Sequence, residues 1–456
     1  MQHLSLELVE LIASYCVSPK DKANLCQVNR HYYSAVIHLL YKHIMITSPR
    51  QYVLLKNSLC HSKSLSHCVH RLDFSSYTTR GSRWSEERAK SVLLPEELAY
   101  LIGCCDLLQE LLIGEEMVYA FVSPQVIQAI FNHQKIKLRT LDFTGFCDRN
   151  VSSLLAEPVN TKKQKTNNQQ HTQVSSWLIP KQLSNVSFYM CMAFSQDKFF
   201  IPFFKEFSSS GNQLKRLDLA YTQINSQLFS YLLQGRQYQT LTHLNLQGCH
   251  SLSCCSPLIE FIERCENLQH LNLNMDFNGI GASRFCHECI YRLLKSRSTV
   301  RLLDMGGHVN VSPAVLTRLM TEKVIFPQLR HLSFAYCQSI TLDILEKFLL
   351  YNHHAHLGYL NLARTPLTEL NGSLVHTMNR LKQFKHLQTV EVSPFTSKKY
   401  PSQLLNYWKM TTQGRRTYYS QQGHDPRFVY SKKMILFEDG QMDTLSPMNK
   451  YWCYSY

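Results

Sequence analysis

The chain has 456 residues, 44% apolar and 18% charged, a composition ordinary for a globular or solenoid protein and a length too great to assume one compact domain. Lys and Arg exceed Asp and Glu by 15, which favours acidic partners (an acidic protein, phosphate or nucleic acid) without naming one. Sixteen cysteines without small-domain spacing, no charged-then-apolar leader and no apolar run near about 18 residues predict free thiols in a cytoplasmic or nuclear protein with no membrane partner.

The first stretch, residues 1–46, is helical in pattern. Leu4, Leu8, Leu11, Ile12 and Tyr15 recur at spacings of three and four, a turn follows at Ser18-Pro19-Lys20-Asp21, and Leu25, Val28, Tyr32, Ala35, Val36, Leu39 and Leu40 resume the helical spacing. The following HIMIT reads as a strand. Three short helices in so few residues bury little surface, so the module should need a partner or the neighbouring domain.

These residues resemble an F-box. The family pattern Leu-Pro-x-Glu-apolar is met by Leu4-Ser5-Leu6-Glu7-Leu8, and Val-Cys-Arg-x-Trp by Val28-Asn29-Arg30-His31-Tyr32, with Ser5, Asn29 and Tyr32 the departures. Ser5 can still cap the helix, and Tyr32 keeps an aromatic plug. The resemblance implies docking of the Skp adaptor of a cullin-based ubiquitin ligase, with Leu4, Leu8, Ile12, Leu25, Val28 and Tyr32 as contacts, because an apolar face left open on a small module marks an interface. Residues 47–67 are expected to be a linker.

From residue 68 to 396 one phrase organises the chain. QLKRLDL, TLTHLNL and NLQHLNL place the first residue of an LxxLxL pattern at Leu214, Leu241 and Leu268, 27 residues apart each time. In a strand the two leucines of LxL share a face and the residue between them takes the other. A lone strand of this kind cannot bury its leucines, so the units must stack. The pattern also starts at Val69, Leu108, Leu138, Leu183, Val300, Leu329, Leu357 and Leu387, giving about eleven repeats. Two intervals are enlarged: 78–95 by a charged stretch expected to be a surface loop, flanking the binding face or not, and 157–180 by the polar NTKKQKTNNQQHTQVSS, which cannot pack a core.

Cys249 and Cys337 follow their strands at the same offset, in LNLQGCHSL and LSFAYCQSI, and Cys105 and Cys265 precede the next repeat in CDLL and CENL. This resembles the cysteine-containing class of leucine-rich repeat, which usually accompanies an F-box. The fold class expected is therefore α/β: a three-helix F-box, then a leucine-rich-repeat solenoid with a parallel sheet on its concave face and helices outside, then a β-rich cap. That cap is residues 397–456, where eight Lys or Arg face the single acid Asp425 over 397–433 among many aromatics; RRTYYS and RFVYSKKMILF should supply strands, and Arg415 and Arg416 would suit an anion.

Chemistry is sparse. Cys286 and Cys289 in CHEC have the spacing of half a zinc site, and Cys254-Cys255 lies nearby in sequence, but no second CxxC or HxxxH pair stands at a conventional distance, so no metal is expected. With no nucleophile or phosphate-loop motif, neither catalytic residues nor a cofactor is expected. A binding site should lie on the strand face, where Arg216, Asp218, His243, Asn245, His270 and Asn272 would form one polar patch, extended by Tyr189 and His331. The combined resemblance implies a substrate receptor of a ubiquitin ligase, its repeats holding an unknown protein to be ubiquitinated. The alternative from another class is a repeat scaffold or inhibitor acting by binding alone; nucleic-acid binding through the basic tail has no motif to support it.

Overall fold

The computed structural model describes residues 4–16, 18–75, 77–79, 84–121, 123–131, 137–145, 179–275, 285–295, 298–352, 357–370, 373–393, 407–413 and 416–421. They fall into two compact units, Met1–Asn212 and Gln213–Tyr456. The architecture of each is mixed α/β, with short parallel strands alternating with helices, as leucine-rich repeats require.

The first unit opens with α1 (Leu6–Tyr15), α2 (Pro19–Cys26) and α3 (Arg30–Lys42). Two of the residues that depart from the F-box pattern turn out to be helix caps. Ser5 accepts from the Leu8 N–H at 3.4 Å, and Asn29 Oδ1 from the Tyr32 N–H at 3.0 Å, each answering a donor that the helix cannot satisfy itself. The core of this module is small: Val9, Ala13, Ala35 and Val36.

β1 (His43–Met45) follows at once and pairs in parallel with β2 (Arg71–Asp73), His43 opposite Arg71. The expected linker between them is instead helical, with α4 (Pro49–His61) capped by Ser48 and α5 (Lys63–Ser66). Pro49 at its first turn and the buried Tyr52 and Leu59 make α4 the helix of a repeat whose strand is β1, a unit that lacks the LxxLxL phrase. The first insertion also differs from a plain loop, since Glu86–Val92 is a helix and Leu93 behind it is fully buried. The second insertion lies outside the described residues from 151 to 178.

β3 (Glu110–Leu112), β4 (Thr140–Asp142) and β5 (Asn185–Ser187) continue the parallel ladder of the first unit. Its core is aromatic, with Phe143 stacked on Phe188 at 5.4 Å and Phe199, Phe200 and Phe203 edge-on to Phe188.

The second unit carries β6 (Arg216–Asp218), β7 (His243–Asn245), β8 (His270–Asn272), β9 (Leu302–Asp304), β10 (His331–Ser333), β11 (Tyr359–Asn361) and β12 (Thr389–Val392). Each of the eleven phrases yields a strand starting two residues after its first apolar position. Neighbours align phrase on phrase, His243 opposite His270 and Leu244 opposite Leu271, so like residues form columns. Leu217, Leu244, Leu271, Leu303, Leu332 and Leu360 point into the core and are buried.

One turn ends these strands. Asp218, Asn245, Asn272, Asp304 and Asn361 each accept at Oδ1, 3.0–3.1 Å, from the backbone N–H two residues on. Among the described residues, the backbone three residues after the strand is left-handed in seven repeats, at Gly145, Met190, Tyr221, Gly248, Gly307, Tyr336 and Arg364. Gly248 is fixed twice over, because a Cβ there would also meet the Tyr221 ring at 2.5 Å.

The next residue explains the cysteine signature. The buried thiol of Cys249 donates to the Leu219 carbonyl at 3.0 Å, that of Cys337 to Met305 at 3.3 Å, and that of Cys191 to Phe143 at 2.8 Å, each reaching the residue just past the preceding strand. His308 does the same with Nε2 to the Leu273 carbonyl at 2.8 Å. Burial pushes the Cys249 thiol up to about 12, so the proton it donates stays on sulfur. These cysteines are thus hydrogen-bond donors as well as small apolar side chains.

Within the second unit the strands change sense after β12. β13 (Trp408–Gln413) and β14 (Arg416–Gln421) form a hairpin, and β14 runs antiparallel to β12 with Val390 opposite Tyr419. RRTYYS therefore supplies a cap strand, while RFVYSKKMILF and Arg415 lie outside the described residues.

Candidate interaction surfaces

The first surface belongs to the three-helix module. Leu4 (44% exposed), Leu8 (49%), Ile12 (52%) and Val28 (59%) stand open, joined by Leu11 and Tyr15. Val9 and Ala13 turn inward from the same helix, leaving the longer leucine stripe to solvent. Leu25 and Tyr32, expected beside them, are instead half-buried against Val9, Ala13, Ala35 and Val36. The reason is volume: a valine, an alanine and their counterparts on α3 cannot fill a three-helix core, so the larger side chains of α2 and α3 complete it. α1 is tied to α3 by Glu10 and His38 at 2.9 Å, and the segment ahead of α1 by His31 Nε2 to the Leu4 carbonyl at 2.8 Å.

The second surface is the row of outward strand positions in the second unit. The structure brings Arg216, His243 and His270 into one column and Asp218, Asn245 and Asn272 into the next. It corrects their expected exposure, since His243, Asn245, His270, Asn272, Asp218 and His331 are all buried. Two causes are visible. Rings pair across strands, His243 on His270 at 4.0 Å and His331 on Tyr359 at 4.2 Å, and the central column folds its side chains back onto the turns. Tyr189 lies in the first unit, just past β5, and is buried as well.

The histidine pair is uncharged. Burial first, then the guanidinium groups of Arg216 and Arg301, push His270 down to about 3; burial and the neighbouring His270 depress His243 in the same direction. Neighbouring columns are cross-linked by Asn272 Nδ2 to Gln247 Oε1 at 3.2 Å, Asn274 Nδ2 to Asp304 Oδ1 at 3.1 Å and Gln247 Nε2 to the Tyr221 hydroxyl at 2.8 Å. Among the described residues, Asn245 Nδ2, Asn274 Oδ1 and Ser333 Oγ are buried without a protein partner.

At the cap, Arg416 does not present itself as an anion contact. Its guanidinium grips Glu391 of β12 bidentately, Nε to Oε1 at 2.7 Å, and reaches the Tyr359 hydroxyl at 3.0 Å.

A further constellation escaped the sequence. Cys254, Cys255, Cys286 and Cys289 come together with their sulfurs within 4.8 Å of one another. A search for zinc spacings looks along the chain, whereas stacked repeats bring residues one period apart side by side. The usable signal was the offset of 32 residues from Cys254 to Cys286, equal to the interval between the phrases at Leu268 and Val300.

No family profile matches the sequence, and no curated protein matches it. Among solved structures the chain is similar to the Rad7 and Elc1 complex of yeast, with 14% identity over 82% of this chain and 79% of that chain at a TM-score of 0.43. It is also similar to the leucine-rich repeat-containing protein LegL7 of Legionella pneumophila, with 16% identity over 65% of this chain and 78% of that one at a TM-score of 0.32. Among the described residues no helix is long and apolar enough to cross a membrane.

Proposed function

We propose that the chain is a substrate receptor of a Skp-cullin-F-box ubiquitin ligase, in which α1 to α3 dock a Skp-type adaptor and the repeats hold the protein to be modified. The observation that carries this reading is the open stripe of Leu4, just ahead of α1, and Leu8, Leu11, Ile12 and Tyr15 on it, large apolar side chains 44–79% exposed over a core whose buried residues are Val9, Ala13, Ala35 and Val36. Leu25 and Tyr32 would contribute from beneath, by setting the pitch of α2 and α3.

On the strand face the unanswered polar atoms of Asn245, Asn274 and Ser333 support a ligand. Each costs about 1–3 kcal/mol if left unmet, and a segment laid across the strands would meet them only by displacing the side chains that cover them. The chain itself would perform no covalent step. Its contribution would be proximity, which raises the effective concentration of a target lysine near the charged conjugating enzyme.

A second reading has its own observation: β1 pairs directly with β2, so the three helices could serve as the end cap of the repeats in a scaffold that acts by binding alone. Co-expression of the full chain with a Skp-type adaptor, beside the Leu8→Lys/Ile12→Lys variant, separates the two. A stoichiometric complex formed only by the unsubstituted chain, with both chains equally folded by circular dichroism, supports the receptor. Loss of solubility in the variant, or a folded unsubstituted chain that ignores the adaptor, sinks it in favour of the scaffold.

A further inference from the structure

Cys254 and Cys255 lie in the segment after β7, just ahead of the helix Pro257–Arg264; Cys286 and Cys289 lie at the entry of the next helix, His287–Lys295, after β8. The two pairs therefore come from consecutive repeats of one unit. Their sulfurs stand 3.3 Å (Cys254 to Cys289), 3.4 Å (Cys254 to Cys255) and 3.6 Å (Cys255 to Cys289) apart, with Cys286 inside the same 4.8 Å envelope. A tetrahedral zinc with bonds of about 2.3 Å places its four sulfurs about 3.8 Å from one another. We propose that Cys254, Cys255, Cys286 and Cys289 form a closed structural zinc site that staples two successive repeats together.

The hydrogen bonding sets these cysteines apart from the others. Cys249, Cys337 and Cys191 donate their thiol protons to carbonyls. Around the cluster the direction reverses, and backbone N–H groups point at sulfur: Cys286 to Cys254 at 3.2 Å, Cys255 to Cys289 at 3.2 Å and Cys289 to Cys286 at 3.5 Å. Donors aimed at sulfur favour the thiolate, the form that ligates metal. The backbone at Cys255 is left-handed, with φ at 51°, a conformation rare for a residue with a side chain, and here the vicinal Cys254 and Cys255 direct both sulfurs to one centre.

Four soft thiolates at single-ion separation select zinc over the hard cations, and with all four positions taken by protein no site is left open for a substrate. On binding, each thiol still protonated releases its proton to solvent, and the charge of the resulting centre is moderated by the nearby first turns of both helices. The stapled repeats are the ones whose strands carry His243 and His270, so the ion would fix the spacing of that stacked pair. This inference is independent of the adaptor reading.

The test uses the full chain, purified without chelator from zinc-supplemented expression, with metal measured by plasma mass spectrometry. The expected result is close to one zinc per chain, falling at least tenfold in Cys254→Ser/Cys286→Ser and unchanged in Cys68→Ser. Cobalt replacement should give the visible bands and sulfur-to-metal charge transfer of a tetrahedral thiolate site, and Cys289→His should keep the metal while shifting those bands. A folded chain without stoichiometric metal, equal metal in the double variant, or a Cys254–Cys255 disulfide found by alkylation mapping would overturn the proposal. If the double variant fails to fold, the unsubstituted chain's cobalt spectrum decides: without sulfur-to-cobalt charge transfer the assignment is wrong.

Discussion

At the scale of single residues, the repeated positions carry two different kinds of work. Phrase leucines such as Leu244 and Leu271 fill the core, a role their alternation makes legible in the sequence. The polar residues between them look alike on paper but divide: Asn245 and Asn272 close the turns, while His243 and His270 stack on each other under the influence of Arg216 and Arg301. That division depends on which residue the partner strand presents, which the spacing of one phrase does not contain. It has a consequence for acid stability. An imidazole in the unfolded chain titrates near about 6.5, whereas folded His270 holds out to about 3 and folded His308 to about 4. Below the unfolded value the unfolded state binds more protons, so stability is fully present above about pH 7 and declines as the pH falls towards the folded values. Each such histidine contributes a slope of up to about 1.4 kcal/mol per pH unit in that window. Urea unfolding at pH 7, 6 and 5 should show a falling midpoint, and His270→Gln should flatten the slope by about one proton; an unchanged slope would mean that His270 titrates normally.

Among the elements, the strands were legible and several helices were not. All eleven phrases became strands because the LxxLxL spacing is itself the geometry of a buried short strand. α4 was hidden in a stretch too mixed in polarity to stand out, and it is held by packing of Tyr52 and Leu59 more than by its own pattern. The cap shows the same limit from the other side: RRTYYS predicts a strand, but not that its arginine would be consumed internally. Arg416 on β14, Glu391 on β12 and the Tyr359 hydroxyl on β11 form a polar clasp across three strands with little solvent around it. Removing one partner of such a pair leaves a charge without compensation, at a cost of about 3–5 kcal/mol for a fully buried pair, which is an upper bound here because Arg416 is partly exposed. Arg416→Met should therefore lower the unfolding midpoint clearly, Glu391→Leu likewise, and the combined Arg416→Met/Glu391→Leu variant should lose less than the sum. A strictly additive double variant would show that the clasp does not couple β14 to β12.

For the molecule as a whole, two features compete to choose its partners: a formal charge of +15 and one open apolar stripe on α1. Charge acts at long range and is screened by salt; apolar burial acts on contact and is not. The sequence exposed both features, but only the structure shows that Leu8, Leu11 and Ile12 stay outside the small core while Leu25 and Tyr32 do not. If the stripe carries adaptor docking, the affinity of the full chain for a Skp-type adaptor should change by less than about tenfold between about 0.05 and 0.2 M salt, whereas a complex neutralising six or more phosphates would lose about a thousandfold over that range. Calorimetric titration at several salt concentrations, run beside titration with a short single-stranded RNA, reads the difference directly. A steep salt slope for the adaptor would transfer the docking role from α1 to the basic surface, and a tight, salt-sensitive complex with the RNA would add nucleic acid to the partners that the charge selects.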